Sequence, residues 1–196
     1  LFFRDGRPWE ALRKEILPGL IRRRAAERSL SIWCGAASSG QEPYSLAMLI
    51  RRHFPELMGW KLRLLATDIS ESMLERCRQG LYSAVEIGRG LEPELLRSFF
   101  KQEDAGWRLD ASIRGMVELR RQNLTHSLGS LGSFDLVLLR NVLIYFDDAT
   151  KLDILRRVRQ IMNPGAILLL GSTEMTNAPE WERCIEGDCR FLRKAA

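Results

Sequence analysis

The sequence predicts an α/β protein built on a doubly wound, mostly parallel sheet, and three observations predict it. Apolar-rich runs recur at Leu30–Trp33, Lys61–Thr67, Phe134–Arg140 and Ala166–Gly171, bounded by turn residues. Such runs mark strands buried on both faces. Helical stretches alternate with the first runs, the order of right-handed βαβ crossovers. Finally, the first run feeds a string of small residues, Gly35 to Gly40, that opens directly into a helix. A turn of that kind lets backbone approach a ligand at the carboxyl ends of the strands.

The chain begins abruptly on Leu1-Phe2-Phe3-Arg4, with aromatics that read as exposed. Trp9, Leu12, Ile16, Leu17 and Leu20 then recur at helical spacing between Pro8 and Glu27, and Pro18-Gly19 predicts a break in that helix. Arg22, Arg23 and Arg24 suit its carboxyl end as a solvated cluster. After the first strand, Glu42, Pro43 and Tyr44 open a helix whose apolar side includes Leu46, Met48, Leu49 and Ile50. Pro43 fits a first turn, where its missing N–H is harmless. Gly35 and Gly40 have the spacing of a phosphate-cradling loop, but no Lys-Ser/Thr follows them, so that reading is disfavoured.

The second strand ends at Asp68. Ser70 or Ser72 caps the next helix, with Ser72 and Glu75 at capping-box spacing, and Gly80 ends it. Residues Leu81–Arg121 interrupt the alternation. They hold a helical piece around Glu92–Phe100 and two strand candidates, Trp107–Leu109 and Met116–Leu119, which predict a small inserted β-subdomain with a hairpin. The chain returns to the main sheet through Asn123-Leu124. After the strand from Phe134, Asp147 or Asp148 caps a helix with Leu152, Ile154, Leu155, Val158, Ile161 and Met162 inward. Asn163-Pro164-Gly165 ends that helix. Cys189–Arg193 is predicted to pair antiparallel at the end of the sheet.

With 196 residues the chain is one domain with a sizeable core. A content of 45% hydrophobic and 28% charged residues is that of an ordinary globular protein. No apolar run nears the roughly 20 residues of a bilayer span, so no membrane insertion is expected. No signal peptide is visible, and a first residue of Leu rather than Met suggests a trimmed N-terminus. The net charge of +5 and pI near 9.3 suit an acidic partner or simply a solvated basic surface. Cys34, Cys77, Cys184 and Cys189 form no CxxC pair, and neither His53 nor His126 stands at zinc-ligand spacing. No metal is predicted, and the thiols read as reduced, in a cytoplasmic protein. Cys34 reads as a small buried residue.

The loop after the first strand and Asp68 after the second make a nucleoside-binding plan, with the carboxylate accepting from ribose hydroxyls. Asp68 is equally suited to helix capping, and Asn141 to a turn.

Together these residues carry a resemblance. Phe2-Phe3-Arg4, the block WCGAASSGQEPYSLAM (Trp33–Met48), ATDIS (Ala66–Ser70), Asn123-Leu124 and FDLVLLRNVLIYF (Phe134–Phe146) occur in one order. The sequence resembles the CheR-type chemotaxis receptor methyltransferases over essentially its whole length. The resemblance implies a class I S-adenosylmethionine-dependent methyltransferase fold, Rossmann-like, with an inserted β-subdomain at Leu81–Arg121. It implies methyl transfer from S-adenosylmethionine to receptor glutamate side chains. It marks Arg4, Gly35, Glu42, Asp68, Asn123, Leu124, Asn141 and Val142 as cofactor contacts, and Arg4 and Tyr145 as the catalytic residues facing the methyl. A short Asn/Thr segment and a helical domain usually precede Phe-Phe-Arg in the family and are absent from this sequence. Gln41 stands where the family commonly has Glu.

The chemistry is consistent with these residues. A glutamate of reference pKa about 4.3 is already ionised near pH 7, so no general base is needed. The acceptor must be positioned, desolvated and kept charged. Arg4 suits that role through its two-pronged guanidinium, and Tyr145 through its hydroxyl. The plain alternatives are a salt-bridged Arg4 and a packed Tyr145. A nucleic-acid methyltransferase is a rival on charge alone, but Arg140-Asn141-Val142-Leu143 replaces the Asp/Asn-Pro-Pro-aromatic motif of base methylation. The other rival is a catalytically weak module that binds cofactor or receptor only. Partners are expected to be acidic receptor helices meeting Arg4, Arg7, Arg120 and Arg121. A receptor tether peptide is expected to bind weakly, because the Phe100–Trp107 connection is short and Glu94, Glu103 and Asp104 are acidic.

Overall fold

The computed structural model describes residues 1–174 and 180–195. The first helical run is continuous: α1 (Arg7–Ala11), a π-helical turn at Leu12–Ile16 and α2 (Leu17–Arg23) follow one another directly. Pro18 cannot donate to the preceding turn, and the widened turn just ahead of it absorbs the mismatch. The expected break is therefore a widening. In the arginine cluster at the end of this run Arg22 and Arg23 are exposed, as expected, and Arg24 is half-buried. Arg24 Nε lies 3.5 Å from the buried carboxylate of Asp135, and burial lowers the pKa of the Arg23 guanidinium.

The next elements are β1 (Ser29–Gly35), α3 (Gln41–His53), β2 (Lys61–Asp68) and α4 (Glu71–Gln79). Ser70 caps α4 by accepting from Met73 N at 3.3 Å, which leaves Ser72 inside the helix and its pairing with Glu75 unmade. A capping box does form one element later, between Ser83 and Glu86.

A small three-stranded sheet follows, built from β3 (Leu81–Tyr82), β4 (Phe100–Glu103) and β5 (Gly106–Leu109) in the order β3-β5-β4, with α5 (Ala84–Ile87) and α6 (Pro93–Phe99) between the first two. The hairpin is thus β4–β5, closed by Asp104-Ala105. The sequence hides β4 because it is an edge strand whose Lys101 and Gln102 face solvent. The second strand candidate belongs elsewhere. After α7 (Ala111–Arg114), β6 (Val117–Arg121) lies parallel to β2, from Leu64 opposite Val117 to Asp68 opposite Arg121. The segment read as half of a hairpin is therefore an edge of the main sheet.

The last part comprises β7 (Phe134–Leu139), α8 (Asp148–Gln160), β8 (Met162–Leu170), β9 (Trp181–Glu186) and β10 (Cys189–Lys194). Asp147 caps α8, accepting from Thr150 N at 2.8 Å. Ile154, Leu155 and Val158 are buried as expected, whereas Leu152 is exposed. Asn163-Pro164-Gly165 lies within β8, since the helix has already ended at Gln160. β10 pairs antiparallel with β8, as predicted, and then with β9, whose adjacent exposed Glu182 and Arg183 mask a strand.

The main sheet runs β6-β2-β1-β7-β8-β10-β9. Successive strand residues face opposite sides, so Ile32, Leu64 and Leu136 join one core while Trp33, Leu65 and Val137 join the other. The chain winds outward from β1 through β2 to β6, then crosses back and continues from β7 to β8. The switch point lies between β1 and β7, and in open sheets of this kind ligands bind in the crevice outside the carboxyl ends of the strands at that point.

Candidate active site at the strand switch point

The loop leaving β1 is held open by unusual backbone. Ala36 (φ 56°), Ser38 (φ 50°) and Gly40 (φ 93°) all occupy the left-handed region. Ala37 N donates to Thr67 O at 2.9 Å, and Ser38 N to Asp68 Oδ2 at 2.7 Å. Gly35, expected to admit a ligand, is required first by packing: a Cβ there would stand 2.8 Å from Leu139 Cδ1 and 3.2 Å from the Trp33 ring. At Gly40 a Cβ would meet Cys77 Sγ at 2.4 Å. Cys34 is buried, and burial raises its pKa well above the ordinary thiol value, which suits a small core residue rather than a nucleophile.

Asp68 ties two loops together. Its Oδ1 accepts from Ser70 N at 2.9 Å while Oδ2 takes Ser38 N. Ser70, not Asp68, is the helix cap, and each carboxylate oxygen retains acceptor capacity for a ligand hydroxyl. Asn123 and Leu124 follow β6 two and three residues beyond Arg121, the register partner of Asp68. Asn123 Oδ1 accepts from Thr125 N and Oγ1, closing a local turn, and Leu124 is buried in the second core.

On the other side of the loop stands a residue that the sequence reading did not mark. Arg140 directly follows β7, and its side chain is 1% exposed. Its Nη1 donates to Glu42 Oε2 at 2.9 Å, and its Nη2 to Asp5 Oδ2 at 2.8 Å and to Arg4 O at 3.0 Å. Its Nε is buried without a hydrogen-bond partner among the described residues. Burial pushes the Glu42 carboxyl above its ordinary pKa, opposed by the Arg140 charge. The signal for Arg140 was a charged residue closing the apolar run Leu136–Leu139, a placement that needs buried partners.

The opening aromatics, read as exposed, form a strap. Phe2 is completely buried, its ring set edge-on to Tyr82 at 5.0 Å and Phe100 at 5.6 Å. Gly90 (φ 87°) passes so close that a Cβ would sit 2.1 Å from Phe2 O. Phe3 N donates to Ser45 Oγ at 2.9 Å, and Trp9 Nε1 to Arg4 O at 2.9 Å. The Arg4 backbone is thereby fixed while its guanidinium stays 49% exposed, with Nε 4.0 Å from Asp5. Asn141 adopts φ 56°, Val142 packs against the second core, and Leu143–Tyr145 forms a 3-10 turn. Tyr145 is 78% exposed, so it is not the packed aromatic of the plain alternative. Glu42, Asp5 and the Arg4 carbonyl thus converge on the Arg140 guanidinium, and Asn141 follows it in the chain. Asp68 ends β2, and Asn123 and Leu124 follow the end of its neighbour β6.

Comparison with known proteins decides what this crevice belongs to. The family described as CheR methyltransferase, SAM binding domain, matches residues 1–191. The chain belongs to this family. Among its relatives, chemotaxis protein methyltransferase 1 of Pseudomonas aeruginosa is 42% identical over 191 residues, which cover 95% of this chain and 69% of that protein. The chemotaxis protein methyltransferase of Vibrio parahaemolyticus is 42% identical over 197 residues, covering 95% and 70%. The fold is similar to that of an O-methyltransferase family protein from Burkholderia thailandensis, with a TM-score of 0.50, 15% identity and coverage of 98% of this chain and 61% of that one.

This CheR-family chain is an S-adenosylmethionine-dependent methyltransferase of chemotaxis. Its crevice suits the cofactor chemically. A buried carboxylate with a raised pKa, Glu42, gains from an approaching ammonium. The unpartnered Arg140 Nε gains from an acceptor, and Asp68 offers oxygens to a diol. Among the described residues, no cluster of three His, Cys, Asp or Glu side chains could hold a metal, and no helix is long and apolar enough to cross a membrane.

Proposed function

We propose that the chain transfers a methyl group to glutamate side-chain carboxylates of chemotaxis receptors in the cytoplasm, forming glutamyl methyl esters. The observation that carries this reading is Arg4. Its backbone is anchored by Phe2, Phe3, Trp9 and Arg140, while its guanidinium stays half-exposed beside Asp5. S-adenosylmethionine supplies a methyl bound to a positively charged sulfur. The chain's own groups supply the rest. Asp68 accepts from the ribose hydroxyls, Glu42 faces the ammonium of the methionyl part, and Gly35, Asn123, Leu124, Asn141 and Val142 border the cofactor. Arg4 grips the acceptor carboxylate through two N–H groups and keeps it ionised, so no proton need be removed. Tyr145 adds a hydroxyl donor beside it.

The basic rim supports an acidic helical partner. Strand register places Arg120 and Arg121 at the carboxyl end of β6, and Arg7 reaches Asp188 at the β9–β10 turn, on the same rim. The expectation of weak tether binding keeps less support. Glu94 pairs with Arg52 and Glu103 with Arg108, which removes most of the expected repulsion. The free edge of β4 remains, with only Asp104 unneutralised by these pairs, so direct recognition of receptor helices rests chiefly on the rim.

The test is methyl transfer from labelled S-adenosylmethionine to a receptor cytoplasmic fragment and to RNA, side by side. Label in the receptor alone supports the reading. Label in RNA alone points to a nucleic-acid methyltransferase, and binding without transfer points to a sensor module.

A further inference from the structure

Behind the crevice lies a second carboxylate, Glu174, buried four residues past the end of β8. It accepts three backbone hydrogen bonds: Oε2 from Asn141 N at 2.5 Å and from Gly171 N at 2.9 Å, and Oε1 from Ile144 N at 3.2 Å. Nothing in the established activity assigns it a role. The structure assigns Glu174 as a positioning residue for methyl transfer, clamping the Asn141–Tyr145 turn from behind.

The local physics gives it that task. Asn141 sits in the left-handed region, where a non-glycine residue is strained and needs partners to hold it. The 3-10 turn that begins after Val142 leaves N–H groups with no partner within the turn. A carboxylate is the strongest acceptor available for such donors, and its two oxygens span both ends of the segment. The space is made by Gly171, where a Cβ would stand 2.4 Å from Glu174 Oε2 and 3.1 Å from Asn141 N. Tyr145 N then donates to Val142 O at 3.2 Å, so the tyrosine is carried on a turn whose start Glu174 fixes. Glu42 also registers the charge: burial is the main cause of its raised pKa, and Glu174 is among the groups that add to it. One carboxylate therefore links the end of β8, Asn141 and the base of Tyr145. Misplacement of a reacting group by about 1 Å can cost roughly 100-fold in rate, which is the scale at which such a clamp matters.

The inference rests on the proposed function, and its test separates the two. Glu174→Gln keeps the size but replaces one of the two acceptor oxygens by an amide N–H₂, so the segment's donors can no longer all be satisfied. Glu174→Asp keeps the charge but withdraws it by one methylene, and is read in the same way should the first variant not fold. Amide hydrogen exchange is measured at Asn141 and Ile144, and turnover is measured with a receptor fragment at saturating S-adenosylmethionine. The expected result is exchange at these two amides at least ~10-fold faster, turnover at least ~10-fold lower, and KM for the receptor changed less than ~3-fold. Placed in a Tyr145→Phe background, Glu174→Gln should lower turnover by less than ~3-fold further, because the two act through one turn. Unchanged exchange, unchanged turnover, or full losses that multiply in the double variant would overturn the assignment. A wild-type protein that methylates no receptor fragment would instead overturn the functional reading, and the exchange rates would still decide whether Glu174 clamps the turn.

Discussion

Replacing Arg140 by Met tests how the crevice is held together. The guanidinium is buried and bonded to Glu42, Asp5 and the Arg4 carbonyl. Its removal frees Asp5, which is 38% exposed and can be rehydrated, but strands Glu42, whose side chain is only 17% exposed. Breaking a buried pair from one side costs about 3–5 kcal/mol. In a domain of this size that is roughly 10 °C in Tm. The loss depends on pH with a definite sign. The folded pKa of Glu42 is raised, so the folded state takes up its proton more readily than the unfolded chain. The charge penalty is therefore absent below the unfolded pKa of about 4.3 and grows as pH rises through the folded value. Urea unfolding at pH 5 and pH 7.5 should show the larger loss at pH 7.5. Glu42→Gln added to Arg140→Met should recover much of it. An equal loss at both pH values, with no recovery from Glu42→Gln, would show that the buried pair does not organise this crevice.

Three further outcomes follow from the same geometry. Asp68→Ala should weaken S-adenosylhomocysteine binding by about 1–3 kcal/mol in a calorimetric titration, the scale for leaving ligand hydroxyls unpaired; unchanged affinity in a folded variant would place the ribose elsewhere. Arg4→Ala should lower turnover far more than cofactor affinity, and Arg4→Lys should restore it only in part because it lacks the planar fork; wild-type turnover would remove Arg4 from the mechanism. Receptor binding should weaken steeply with salt, as expected of the rim bearing Arg7, Arg120 and Arg121; low-micromolar binding of an isolated receptor C-terminal pentapeptide, lost on deleting β4 and β5, would show that the β4 edge is used instead.

The parallel centre of the sheet was legible because strands buried on both faces read as apolar runs, as β7 does from Leu136 to Leu139. Edge strands were not. β4 and β9 each expose two adjacent polar residues, Lys101-Gln102 and Glu182-Arg183, and β6 reads as half of the hairpin because sequence proximity outweighs a register that only the fold supplies. In the crevice, Asp68 and Asn141 could be placed from their position after strands. Arg140 and Glu174 could not, since their meaning lies in partners distant in sequence, Asp5 and Glu42 for one and the Asn141 and Ile144 amides for the other. Phe2 misled for the same reason: an aromatic near a chain start reads as exposed until Tyr82 and Phe100 are brought around it.

The most direct test of the account is the chemical identity of the product. A receptor cytoplasmic fragment incubated with the protein and S-adenosylmethionine should gain about 14 Da per modified glutamate, one hydrogen replaced by a methyl, and mild alkali should release the methyl as methanol and restore the original mass. A methyl found on a lysine or arginine nitrogen, or one that survives alkali, would contradict the claim that this crevice esterifies glutamate.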